Sequence, residues 1–212
     1  KEDIMKPLSF FFTKEFREEF EYRRKIFHLF LGFFTLIIIN YELINLDSLK
    51  LILISFLVIG ITLSILSRKY NIPIVSTLLN KFERKKYLKK FPGKGALFYL
   101  AGVLYSITFF SKEIALASIT ILVLGDTFAN IIGRYYGKTR LHISKTKLLE
   151  GTVAGIIIAT IGAMHFVSFS EALFGSMFAM VIEAVELEYF QFDDNFSVPV
   201  AAGIAISIFR MF

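Results

Sequence analysis

Asp126 and Asn130 stand four apart near the end of an apolar block, so on a helix they share a face. Glu183 and Glu186, three apart inside another apolar block, share a face in the same way. Asp193 and Asp194 follow in the segment 188–197, which has no Lys or Arg. Between these acids lies a basic stretch, with Arg134, Lys138, Lys145 and Lys147 set among Gly133, Gly137, Glu150 and Gly151. Carboxylate oxygens are the ligands that Mg2+ prefers. Lys and Arg hold phosphates by charge-assisted hydrogen bonds, and glycines let backbone amides approach them. Phosphoryl transfer needs divalent metal, cations around a polyphosphate and an oriented acceptor hydroxyl. These residue types supply the first two. A charge in a bilayer helix costs roughly 2.5–3.5 kcal/mol at mid-membrane, so acids inside apolar blocks must point inward and are expected to serve a site.

Each residue also has a plainer reading. Asp126 alone is a buried acid paired with Lys or Arg, and Asp193 with Asp194 is a solvated acidic loop. Glu183 and Glu186 are interhelical hydrogen-bond partners, and Gly133 or Gly137 is a helix C-cap. Any single basic residue is a topogenic charge, and Glu150 is an acid favoured at a helix N-terminus. His142 and His165 have no evident partner and take no role. No Walker or Rossmann pattern occurs, so a nucleotide site here has to be built from helix ends.

The elements that carry these residues are apolar blocks of bilayer length. The chain has 212 residues, is 55% hydrophobic and only 20% charged, and its mean hydropathy is +0.63. That composition excludes an ordinary soluble domain. The absence of cysteine excludes disulfides and thiolate metal sites. The first residues are charged and the first apolar block reads as a span, so no cleavable signal peptide is expected. The expected fold is all-α and polytopic, with about seven transmembrane helices: 26–44, 49–66, 95–110, 113–133, 151–169, 172–187 and 198–212. Leu8, Phe12, Phe16 and Phe20 recur every four residues among charged ones. Residues 1–25 therefore read as an amphipathic interfacial segment or a helix packed on the protein's own surface, and 26–212 as a single transmembrane catalytic domain.

Loop charge sets the expected orientation. Seven Lys or Arg precede the first span, nine lie from Arg68 to Lys94 and five from Arg134 to Lys147. Only Lys50, Lys112 and Arg210 fall at the other face. The positive-inside rule makes the basic face, and the N-terminus, cytoplasmic. The acidic segment 188–197 falls on the same face, among three basic ones.

Several motifs together resemble the CTP-dependent lipid kinases: dolichol kinase, phytol kinase and the CTP-dependent diacylglycerol kinases, relatives of the phosphatidate cytidylyltransferases. They are Asp126-Thr127-x-Ala129-x-x-x-Gly133-Arg134-x-x-Gly137-Lys138 and Ser144-Lys145-x-Lys147-x-x-Glu150-Gly151-Thr152. Further similarity lies in Arg23-Arg24-Lys25-Ile26-Phe27-His28, in Gly93-Lys94-Gly95, and in Asp193-Asp194-Asn195 with Pro199. The resemblance covers nearly the whole chain. It implies an enzyme that phosphorylates a membrane lipid alcohol with CTP and Mg2+, the alcohol being a polyprenol, a phytol-like or geranylgeraniol-like alcohol, or diacylglycerol. Asp126, Asp194, Glu183 and His28 are the expected catalytic residues, although His28 reads equally as a satisfied structural histidine. Asp126, Asp193, Asp194 and Glu186 are the expected metal ligands. Lys94, Asn130, Gly133, Arg134, Gly137, Lys138, Lys145, Lys147, Glu150 and Gly151 are expected to hold the nucleotide. The rival readings are a cytidylyltransferase acting on a lipid phosphate and, more remotely, an ion-coupled transporter. No nucleic-acid partner is expected.

Overall fold

The computed structural model describes residues 8–83, 85–88, 90–144, 146–185 and 193–212, with side chains from residue 21 onward except 85 and 86. The chain is all-helical over these residues: no strand occurs, and one isolated bridge joins Arg140 to Leu148. In order the helices are α1 (Leu8–Asn40), α2 (Leu46–Ser67), α3 (Pro73–Phe82), α4 (Lys85–Leu88), α5 (Lys94–Phe109), α6 (Lys112–Thr120), α7 (Thr127–Tyr136), α8 (Leu149–Ala163), α9 (Phe169–Val185) and α10 (Asp194–Phe209). A π-helical segment, Ile121–Asp126, joins α6 to α7, so one helical run extends from Lys112 to Tyr136.

The expected apolar blocks all fall on helices, and the differences lie at their ends. α1 is unbroken from Leu8 to Asn40, so no break separates the amphipathic segment from the first apolar block at residue 25. No Gly or Pro occurs between Leu8 and Leu31 to stop it. α10 begins four residues before the expected start, because the Asp193 side chain caps it by accepting from the Asn195 N–H at 3.2 Å. Two helices are long and apolar enough to cross a bilayer, Leu46–Ser67 and Lys112–Tyr136; Lys94–Phe109, Leu149–Ala163 and Asp194–Phe209 are apolar but shorter.

The core gathers on the π segment. Ile121, Leu122 and Val123 are fully buried there, with Met180 of α9 and Ile206 of α10. α8 lies close along this run through small residues. A Cβ on Gly155 would come within 2.9 Å of both Ala129 Cβ and Met180 Cε, and one on Gly151 within 2.4 Å of the Ala129 carbonyl oxygen. Small residues at such crossings let helices approach without a hydrophobic driving force. α5 meets α10 the same way: a Cβ on Gly102 would reach the Asn195 carbonyl oxygen at 2.4 Å. Pro199, with no N–H, cannot donate to that carbonyl from one turn on.

The flank made by α1, α2 and α3 is different. Phe30, Phe34, Leu51, Phe56, Val58 and Ile59 are exposed. Large apolar side chains exposed together on one flank differ from the single ones scattered over a water-soluble domain.

Candidate active site

α1, the π segment, α9 and α10 each deliver one charged group to a common point. Asp126 is the last residue of the π segment and is buried. Glu183 comes from the last turn of the described α9, fully buried, and Asp194 from the first turn of α10. One carboxylate oxygen of each lies within 4.8 Å of the other two. Single-turn π segments inside α-helices are frequent at functional sites. Here the segment ends on Asp126.

Two lysines and an amide bind the cluster. Lys25 of α1 donates to Asp126 Oδ2 and, at 3.4 Å, to the Asp126 carbonyl oxygen. Lys147 donates to Glu183 Oε1. Asn130 Nδ2 donates to Asp126 Oδ1 at 2.7 Å and reaches Glu183 Oε1 at 3.5 Å. Burial lowers the Lys147 ammonium, but the carboxylates of Glu183, Asp194 and Asp126 outweigh it and hold its pKa above the usual lysine range. Glu183 Oε2 is buried and has no hydrogen-bond partner among the described residues. Three acids thus face two lysines, and an acceptor oxygen is left over.

That donor set fits a hard divalent cation. All three ligands are oxygens, as Mg2+ prefers.

The remaining expected site residues fall in several places. Asp193 stands outside the cluster of three: its Oδ1 accepts from Asn195 N–H and, at 2.8 Å, from Asn195 Nδ2. Glu186 and Lys145 lie outside the described residues. Gly133 and Gly151 face each other at the α7–α8 crossing, while Gly137 ends α7, its N–H donating to the Gly133 carbonyl at 3.0 Å. Glu150 accepts from the Thr139 N–H with both oxygens, at 3.0 and 3.2 Å. With the Arg140–Leu148 bridge, that contact closes the loop which presents Lys147. Lys138 and Arg134 are exposed beside it. The Lys94 Nζ lies over the rings of Tyr87 and Phe98 at 4.8 and 5.5 Å.

An apolar cavity of about 620 Å³ opens onto the cluster, walled by α1, α2, α3 and α5. Lys25, His28, Asp126 and Asn195 line its polar end; Leu31, Phe34, Leu53 and Phe56 line its walls; Ile44 and Leu49 mark the far end. From Lys25 to Ile38 it follows α1 for about 20 Å. His28 Nε2 is buried at the polar end with no hydrogen-bond partner among the described residues, its ring edge-on to Tyr99 at 5.5 Å.

The chain is 29% identical to the CTP-dependent diacylglycerol kinase 1 of Eremothecium gossypii, over 90% of this chain and 67% of the relative. An uncharacterized protein of Methanocaldococcus jannaschii is 31% identical over 88% of this chain and 93% of its own length. Phytol kinase 1 of Arabidopsis thaliana is 30% identical over 53% of this chain and 42% of its own. The chain belongs to the CTP-dependent lipid kinase family. No protein-family model matches this family member, and no solved structure matches it.

Within this family member, sequence reasoning passed over Lys25. Its position three residues before His28, on one helical face at the edge of an apolar block, was the available signal. Topogenic charge accounted for it too easily.

Proposed function

We propose that this protein transfers the γ-phosphoryl group of CTP to the hydroxyl of a membrane lipid alcohol, with Mg2+ held by Asp126, Glu183 and Asp194. The observation that carries the reading is the meeting of an apolar cavity long enough for a lipid chain with a buried cluster of three carboxylates. A water-soluble acceptor would not need walls of Leu, Ile and Phe, and a passive lipid slot would not end on charges. The names of the relatives from Eremothecium and Arabidopsis, a CTP-dependent diacylglycerol kinase and a phytol kinase, support the same chemistry.

In this reading the lipid tail lies along α1 and its hydroxyl arrives between His28 and Asp126. The hydroxyl oxygen attacks the γ-phosphorus, the bond from that phosphorus to the β,γ-bridging oxygen breaks, and CDP leaves. The hydroxyl proton passes to one of the two acceptors at the cavity's end, His28 Nε2 or the Asp126 carboxylate. Lys25 and Lys147 offset the repulsion among the acids before the nucleotide arrives and are placed to contact its phosphates afterwards. Bound Mg2+ would neutralise charge developing on the transferred and leaving oxygens. The chain is read as multi-pass, with this cluster and the N-terminus on the cytoplasmic face. The exposed apolar flank and the basic loops support that placement.

The test is a panel of polyprenols, phytol, geranylgeraniol and diacylglycerol, incubated with purified protein, Mg2+ and labelled nucleotide. Label from γ-labelled CTP should enter one lipid class, and ATP should serve poorly. Label from α-labelled CTP in the lipid would identify cytidylyl transfer and refute the proposal, as would no labelled lipid at all.

A further inference from the structure

A second, much smaller opening shares Lys25 with the lipid cavity and lies beside the carboxylate cluster. It is a shallow notch between α1 and α7, with Lys25 and Asn130 at its base and Glu21, Tyr22, Arg134 and Tyr135 around its rim. Its base is therefore made by the two residues that bind Asp126. The rim lies farther out along the same helical faces. Glu21 is one turn before Lys25 on α1, and Arg134 follows Asp126 and Asn130 at four-residue steps on α7. Arg134 is about 12 Å along the axis from Asp126.

We infer that this notch reads the cytosine base of the nucleotide, an inference that rests on the CTP-dependent reading above. Phosphates gathered at Lys25, Lys147 and the carboxylate-bound metal would leave the ribose and base directed outward, and the notch is the polar opening at that point. Cytosine presents an N4 amino donor beside the N3 and O2 acceptors. The Glu21 carboxylate accepts from N4, the pairing that acidic side chains make with this base. The Arg134 guanidinium, on the facing wall, donates toward N3 and O2. Tyr22 and Tyr135 are 51% and 61% exposed and offer ring faces for stacking, which any base can use. Selection then falls to Glu21. Its side chain is only 15% exposed and pairs with Arg24 at 2.8 Å, which fixes its position. Uracil would place a carbonyl oxygen where cytosine has the amino group, against that carboxylate. A site built to pair a polar group rejects the analogue lacking it far more strongly than an apolar pocket rejects a missing methylene.

The experiment compares kcat/KM for CTP and UTP in the wild type and in Glu21→Gln, using the lipid alcohol found by the panel. A glutamine amide both accepts from N4 and donates to O4. The CTP preference should therefore fall at least tenfold in the variant, with UTP use rising. Equal losses for both nucleotides, leaving the ratio unchanged, would give Glu21 a structural role only and overturn the inference. A test needing no variant uses the wild type with CTP dimethylated at N4, which should be used at least tenfold less well than CTP. Equal use of the two would also overturn it. Failure of the wild type to transfer γ-phosphate from CTP to any lipid alcohol is a separate result, because it removes the underlying reading before the base is considered.

Discussion

The two ends of the helical bundle treat charge in opposite ways. At the end away from the carboxylate cluster, each basic residue has one acid: Lys50 with Asp47, Lys112 with Glu42, and Arg210 with Glu171. These pairs are partly or largely exposed, the Glu42 and Asp47 side chains at 73% and 87%. At the cluster end, Lys25 and Lys147 face Asp126, Glu183 and Asp194, and the side chains of Lys25, Asp126 and Glu183 are 8%, 7% and 0% exposed. Exposed one-to-one pairs are worth little and need no further partner. Buried charges without full compensation are costly, because desolvation is not repaid. A surplus of carboxylate held under those conditions is what the proposed Mg2+ would offset. The comparison separates paired surface charges from the buried charges that the proposed ligands would complete.

The largest effect should come from Asp126→Asn. Turnover should fall at least 1,000-fold, several kcal/mol of lost metal-assisted stabilisation, with CTP-dependent lipid labelling as the measurement. The same variant leaves Lys25 buried without its acid, a loss on the order of 3–5 kcal/mol. Adding Lys25→Met should restore the melting temperature but not the activity. Recovery of both would make Asp126 a structural partner of Lys25 and nothing more.

Asp194→Asn should raise the Mg2+ concentration giving half-maximal activity by at least tenfold, read from an Mg2+ titration at fixed CTP. An unchanged titration would remove Asp194 from the metal site. Next comes Lys147→Met, which should raise the KM for CTP by roughly 10- to 100-fold, the value of about 1.5–3 kcal/mol for a lost charged hydrogen bond. Mg2+ should also raise the melting temperature of this variant more than that of the wild type, because a cation then relieves acids the lysine no longer balances. The smallest effect belongs to Arg210→Gln, at the opposite end. It should cost about 0.2–1 kcal/mol in stability, measured by thermal unfolding, and leave kcat unchanged. A large loss of activity there would erase the distinction between the two ends. Reporter fusions beside Asp47 and Asn80 ask whether the ends face different compartments, and finding both on one side would break the proposed topology.

The helices were legible because apolar blocks long enough to cross or nearly cross a bilayer leave few other folds, and the sharing of one face by Asp126 and Asn130 followed from their spacing alone. Partnership across the chain was less legible. Asp193 and Asp194 are adjacent and chemically alike, yet only Asp194 joins the cluster of three. Asp193 is consumed in capping α10, and that choice depends on where the helix begins. Glu183 and Lys147 are 36 residues apart, and nothing local predicts that the closed loop 139–149 carries the lysine to that acid. The lipid-sized cavity was invisible for the same reason, since α1, α2, α3 and α5 wall it from four separated segments. Lys25 illustrates a different limit: a basic residue at the end of an apolar block satisfies the topology rule and the site equally well, so its sequence context could not choose.

The π segment sets the angular phase of everything after it. An α-helix turns about 100° per residue, and a π turn holds one residue more than the α turn it replaces. Winding the same residues Ile121–Asp126 as α-helix would make the run from Lys112 to Tyr136 uniform. It would also swing Asp126, Asn130 and Arg134 together through about 100°, off the line of the proposed metal, phosphate and base contacts. The winding of this short stretch therefore matters beyond its side chains. A substitution at Leu122 or Val123 alters packing, while loss of the π turn rotates the whole polar face at once.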